Sequence, residues 1–284
     1  DWDRDADADS FRYLFIGDSY VEGAQIQKGV QFSGLVEKLF AYSGLPYEII
    51  NGGTSGTNTA YQYLLWKEFF KEQIEVHHIV LCFYLGDDLM QNVEGLSPQD
   101  SEIEYYIESD GGITIERKES GRIKSFARFL TRKSAVLFYI YKKLSELKHS
   151  AESGYESAYV DEIFQKTKDE SKNDLWKKSI RATLKLISSW KDELDEMGAG
   201  FSVVVIPSAE HRDGLDYGSA HKNSFVQQLD LLAKTKEFDL LRLKLQKYEP
   251  EELYSFDSRT IGHFNEKGHQ IAREQIYDWL RSLN

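Results

Sequence analysis

Apolar residues in this chain arrive in short unbroken runs, separated by stretches in which they recur every three or four positions. The runs Phe11 to Ile16, Tyr47 to Ile50, His78 to Leu85, Phe201 to Ile206 and the weaker Phe238 to Leu241 have strand length. The runs are largely apolar throughout rather than strictly alternating, which predicts strands covered on both faces. Helical spacing occupies Phe32 to Ser43, Asn58 to Gln73, Asp174 to Met197 and Glu266 to Leu283. Gly198 closes the third of these as a C-cap, and Ile271, Ile276, Trp279 and Leu280 share one face of the last. Strands and helices in alternation predict an α/β protein with a parallel sheet between two helical layers.

The alternation breaks between Ser97 and Ser171. Ile103 to Ile107 and Ile113 to Glu116, joined through Ser109-Asp110-Gly111-Gly112, read as a β-hairpin, because such a turn admits positive φ. Helices are predicted at Ile123 to Leu130 and Lys133 to Leu147, and the Lys/Glu-rich stretch His149 to Asn173 reads as solvated. We read residues 97–171 as an insertion capping the sheet edge, within a single domain spanning 1–284. No internal repeat or low-complexity tract interrupts it.

Composition narrows the function. With 284 residues, 41% hydrophobic and 13% aromatic, the chain can bury a large core. A net charge of −12 opposes binding to nucleic acid or to an anionic membrane, and suits a neutral or cationic small substrate. No apolar run approaches the roughly 20 residues that span a bilayer. The chain reads as soluble. It opens without methionine on an acidic stretch, Asp1 to Asp9, which leaves the compartment open and admits an extracytoplasmic protein whose leader or anchor was removed upstream. Cys82 lies inside an apolar run and reads as a buried, inert thiol. No Cys/His cluster of zinc type is present, and His77-His78 read as a strand end, so neither a metal nor a cofactor is expected.

In a parallel sheet, ligands bind beyond the carboxyl ends of the strands, and four such ends carry chemistry. Gly17-Asp18-Ser19 leaves the first run, with Gly17 permitting a tight turn and Ser19 placed as a nucleophile. Taken alone, Asp18 or Ser19 reads first as a turn or helix-cap residue, and the other segments are needed to favour a nucleophile. Asn51-Gly52-Gly53-Thr54-Ser55-Gly56-Thr57-Asn58 follows the second run, a glycine-rich loop whose N–H groups can approach an oxyanion, although it lacks the Lys-Ser/Thr ending of a phosphate-binding loop. Gly86-Asp87-Asp88 follows the third. Near the C-terminus, Asp257 and His263 precede a helix with Asn265 as its N-cap. His263 is placed as a general base with Asp257 the nearest upstream carboxylate, while His269 falls inside the helix and reads as structural.

These four segments, in this order over residues 11–96 and 200–284, resemble the GDSL/SGNH hydrolases, a family of serine esterases and acyltransferases. The resemblance implies a flavodoxin-like five-stranded sheet and makes Ser19 the nucleophile and His263 the base; Asp257 is taken as the orienting acid because it is the nearest upstream carboxylate. It gives the oxyanion hole to the N–H groups of Ser19 and Gly56 and to the position of Asp87; Asp18, Asn51, Asp88 and Asn92, beside these groups in the sequence, are expected to support them. Ser208, Glu210 and His211, beyond the fourth strand, are expected to face the substrate. The aromatic residues Tyr61, Tyr63, Trp66, Phe69 and Phe70 read as core rather than as a substrate platform.

Two positions depart from the family pattern. Leu85-Gly86-Asp87-Asp88 stands where the family reads Gly-x-Asn-Asp, so a carboxyl replaces the asparagine amide of the oxyanion hole. An ionised carboxylate cannot donate, and loss of such a donor costs about 2.7–4 kcal/mol in the transition state. Either Asp87 stays protonated and donates, or it turns aside, or the site no longer transfers acyl groups. The family also places its triad acid three residues before the histidine, at Thr260 here, whereas Asp257 lies six before it. A longer loop must return Asp257 to the ring, or the pair works as a Ser-His dyad. The expected activity is hydrolysis of a small acyl ester, preferably acetyl and on a carbohydrate. A polysaccharide O-acyltransferase using the same residues and a noncatalytic binding module remain open, as does the oligomeric state.

Overall fold

The computed structural model describes residues 10–93, 103–107, 113–117, 173–208, 220–255 and 262–283. Its main sheet has five parallel strands, β1 (Phe11–Gly17), β2 (Tyr47–Gly53), β3 (His78–Tyr84), β6 (Gly200–Ile206) and β7 (Asp239–Arg242), in the order β2-β1-β3-β6-β7. This is the flavodoxin-like order, in which the chain runs outward from β1 first to one edge and then to the other. The expected hairpin is present as β4 (Ile103–Ile107) and β5 (Ile113–Arg117), paired antiparallel apart from the sheet. β4 lies against α3 (Thr59–Leu65) and α6 (Asn173–Glu196). The turn 109–112 and the helices expected at 123–130 and 133–147 lie outside the described residues.

Each central strand divides its side chains between two apolar cores, which is why the runs show no polar face. Leu14 and Ile16 of β1, Leu81 and Phe83 of β3, and Val203 and Val205 of β6 meet Trp66, Phe70, Trp176, Ile187, Trp190 and Phe225 on one side. Tyr13, Phe15, Val80, Cys82, Val204 and Ile206 face the other side, against Phe32, Val36 and Phe40 of α2 (Phe32–Tyr42) and Ala272, Ile276 and Leu280 of the last helix. The first layer holds α3, α6 and α7 (Ala220–Lys236); the second holds α2 and α9 (Glu266–Leu283). α6 buries Trp176, Ile180, Thr183, Ile187, Trp190 and Leu194, one stripe at helical spacing.

α7 has no counterpart in the sequence expectation, because its buried apolar residues Phe225, Val226, Leu229 and Ala233 are few among polar ones, and two further elements differ from it. β2 continues through Asn51, Gly52 and Gly53, paired with Phe15, Ile16 and Gly17. Those residues carry no apolar signal, but the ladder is made by backbone groups. The helix expected from Asn58 to Gln73 is interrupted by a π-helical turn, Trp66–Phe70, before the short α4 (Lys71–Gln73). The wider turn puts Trp66 and Phe70 into the same core while Lys67, Glu68 and Phe69 stay exposed.

Candidate active site

β1 ends in a turn that delivers Ser19 to the carboxyl edge of the sheet. Asp18 caps the one-turn helix α1 (Ser19–Glu22), its Oδ1 accepting from the Tyr20 N–H at 2.9 Å. Ser19 is half-buried as the first residue of that helix, where a backbone N–H has no intrahelical acceptor. Across the cleft, the segment between α8 (Pro250–Leu253) and α9 is pinned by a short antiparallel bridge, Tyr254 to Phe264, with Ser255 N donating to His263 O at 2.8 Å. His263 Nε2 thereby stands 2.7 Å from Ser19 Oγ. The imidazole stacks on Tyr20, with ring centroids 5.4 Å apart, and the Tyr20 hydroxyl donates to the carbonyl of Gly262. His263 Nδ1 is buried and has no hydrogen-bond partner among the described residues. Asp257, with Thr260, lies outside them.

The glycine loop is fastened to α1 from both ends. Asn51 donates to Val21 O at 2.7 Å and to Ser33 Oγ at 2.9 Å, and its Oδ1 accepts from Gly53 N. Gly53 is in contact with α1 so closely that a Cβ there would stand 2.1 Å from Glu22 N. The Glu22 carboxylate accepts from both N–H and hydroxyl of Ser55. Gly56 follows with φ of +71°, a left-handed conformation that a residue with a Cβ adopts only under strain. Asn58 then caps α3 by accepting from Tyr61 N, and its amide donates to Gln91 O at 2.8 Å.

Asp87 precedes α5 (Asp88–Gln91), and its Oδ2 accepts from Gln91 Nε2 at 2.7 Å. Asp88 is fully buried, with Oδ2 accepting from Tyr84 N at 2.9 Å and Oδ1 unpartnered among the described residues. Asn92, also buried, donates to Thr59 Oγ1 and Thr183 Oγ1, joining α3 to α6 behind the site. Asp18, Asp87 and Asp88 bring carboxyl oxygens within 4.8 Å of one another. Burial, followed by the charge of Asp87, pushes Asp18 up to about 8. Burial also raises Asp88 well above the carboxylate range, with Asp18 and Asp87 adding to it. Among the described residues this is the one trio whose atoms converge as metal ligands would, but each carboxyl already spends an oxygen on a protein donor.

A cavity of about 500 Å³ opens over these groups, lined by Asp18, Ser19, Ala24, Gln25, Ser55, Gly56, Thr57, Asp87, Gln91 and His263. Ser208 is buried at the end of β6 and does not line it; Glu210 and His211 lie outside the described residues. His269 does not line the cavity; its Nδ1 accepts from Phe32 N at 3.2 Å, and burial followed by the nearby His263 lowers it to about 4. The sequence alone assigns no role to Tyr20, Glu22 or Gln91. Glu22 and Gln91 are polar residues within a turn of Gly17-Asp18-Ser19 and Gly86-Asp87-Asp88, which is the available signal.

Several solved structures superpose over nearly the whole chain. The psychrotrophic esterase EstA from Pseudoalteromonas sp., in a structure inhibited by monoethylphosphonate, has a TM-score of 0.54 at 12% identity over 96% of this chain and 97% of its own. The acetyl xylan esterase AlAXEase has a TM-score of 0.52 at 13% identity, over 95% and 100%. The chain has the SGNH-hydrolase fold. An α/β hydrolase, LAE5, from the metagenome of Lake Arreo, Spain, has a TM-score of 0.52 at 13% identity over 96% of each chain. No protein-family model and no curated protein sequence matches, so what the comparisons establish is the fold. No described helix is long and apolar enough to cross a membrane.

Proposed function

We propose that the protein is a serine esterase of SGNH type, cleaving small acyl esters through an acyl-enzyme on Ser19. The observation that carries this reading is the 2.7 Å hydrogen bond between Ser19 Oγ and His263 Nε2 in the lining of an open cavity. His263 takes the Ser19 proton as the hydroxyl attacks the ester carbonyl, then returns it to the leaving alcohol. Water repeats the cycle from the other side and releases the acid. The N–H groups of Ser19 and Gly56 receive the developing oxyanion, with the loop of Gly56 held by Glu22 and Asn51. Asp257 is the proposed partner of His263 Nδ1, the buried nitrogen with no described acceptor. Stacking on Tyr20 and the pinned Gly262 backbone hold the ring from its other sides.

The lining favours a short acyl group. Ala24 is its one hydrophobic side chain among the described residues, too little to bury a long hydrocarbon tail. No described lysine or arginine lines it, which suits an uncharged ester such as an O-acetylated sugar. One protein of the same fold is an acetyl xylan esterase, which agrees with that choice. A fluorophosphonate probe tests the reading: wild-type protein should be labelled and Ser19→Ala should not. No labelling of the wild type anywhere between about pH 5 and 9 would sink it.

A further inference from the structure

The reading above leaves the oxyanion hole short of one side-chain donor, because Asp87 occupies the position where the resembled family has an amide. An amide is nonetheless present in the cavity, one helical turn further on. Gln91 lines the same pocket as Ser19, Gly56 and Asp87. Its Nε2 donates one N–H to Asp87 Oδ2 at 2.7 Å, and the second N–H has no partner among the described residues. Side chains four apart on a helix share a face and lean toward its N-terminus, so Gln91 reaches back over Asp87. Its backbone is tied as well, since Asn58 of the glycine loop donates to Gln91 O at 2.8 Å. Gln91 is therefore linked to the loop that carries Gly56.

We propose that Gln91 supplies the side-chain amide of the oxyanion hole and that Asp87 is the positioning residue that orients it. A carboxylate accepts from the amide nitrogen and repels the amide oxygen, so it selects one of the two flips and turns the remaining N–H to the cavity. The same hydrogen bond sets the Asp87 charge against a donor rather than against the oxyanion. The donor lost at position 87 is thus replaced from position 91.

The inference rests on Ser19 as nucleophile, and one set of rate measurements separates the two. The rate of Ser19 labelling by a fluorophosphonate and the kcat for a p-nitrophenyl acetate substrate would be measured for wild type, Gln91→Ala, Gln91→Glu, Asp87→Asn and Gln91→Ala/Asp87→Asn, with folding checked by thermal unfolding. Gln91→Ala and the near-isosteric Gln91→Glu should each slow both rates about 10²–10³-fold, the usual effect of removing one oxyanion donor. The double variant should recover most of that loss, because Asp87→Asn restores an amide at the position where the resembled family has one. Labelled wild type with both Gln91 variants at wild-type rates overturns this inference alone. A loss that Asp87→Asn does not relieve also overturns it, since it makes Gln91 a structural residue. Wild type that is not labelled removes the nucleophile itself, and this inference with it.

Discussion

Asp18 is 5% exposed, and its carboxyl, pushed up to about 8 from an ordinary 3.8, keeps in the folded protein a proton that the unfolded chain releases. His78 and His269 pull the other way. Burial lowers both to about 4 from 6.5, so between those values the unfolded chain takes up protons that the folded one refuses, and stability gains as pH rises. Above about pH 6.5 the histidines fall silent and the raised carboxyls of Asp18 and Asp88 remain. Stability should then decline from about pH 6.5 to 8, because the folded state binds more protons than the unfolded one. Asp18→Asn keeps an Oδ1 for the Tyr20 N–H and removes the ionisation, so its urea midpoint should decline less over that window. An unchanged decline would show that Asp18 does not titrate there. Nothing in Gly17-Asp18-Ser19 as a string reveals this, since the shift comes from burial and from Asp87, two strands further along the chain. Tyr20, Glu22 and Gln91 escape a reading of the sequence for a like reason: their partners are Gly262, Ser55 and Asp87, and two of those three contacts cross between separate loops.

The junction of α1 with the end of β2 sets the distance between Ser19 and Gly56. Gly53 makes that contact possible, and its missing Cβ would meet the backbone of both Val21 and Glu22. Gly53→Ala must therefore push α1 away from the sheet edge. We expect a loss of about 1–3 kcal/mol in unfolding free energy, the usual range for overpacking. Ser19 labelling should slow as well, because the serine moves with α1. Denaturant unfolding and labelling rates measure both, and wild-type values in both would refute the tight junction. Most of the helices and strands were legible because burial leaves a periodic mark on the chain; α7, with few buried apolar residues among many polar ones, was not. The last residues of β2 were not, because Asn51, Gly52 and Gly53 join the ladder through backbone groups alone. The π-helical turn left no mark either: its cause is the joint burial of Trp66 and Phe70 against Trp190, Leu14 and their neighbours, which are distant in sequence.

Two apolar layers support a site that lies outside both of them. Trp190 shows the separation, with its ring 5.4 Å from Tyr63, 5.6 Å from Trp66 and 5.8 Å from Phe201, centroid to centroid, and none of these lines the cavity. Trp190→Ala should cost about 3–5 kcal/mol of stability, as large-to-small changes in packed cores do. Below its melting temperature the variant should still label at Ser19 at nearly the wild-type rate. Labelling lost in step with stability would mean that the site depends on the core beneath α6 more directly than the geometry implies.

The chain's own periodicity established a five-stranded parallel sheet between helical layers and put four loops of suitable chemistry at the carboxyl ends of its strands. Those are local properties, because burial on two faces and turn chemistry are written in consecutive residues. The meeting of Ser19 with His263, 244 positions apart, depends on strand order and on the bridge that pins Phe264 to Tyr254. The protonation of Asp18, the clamp of Glu22 on Ser55 and the turning of Gln91 onto Asp87 were likewise decided only in three dimensions. Distances of a few ångströms between loops, and the removal of water from around a charge, follow from packing and register that no single stretch of sequence contains.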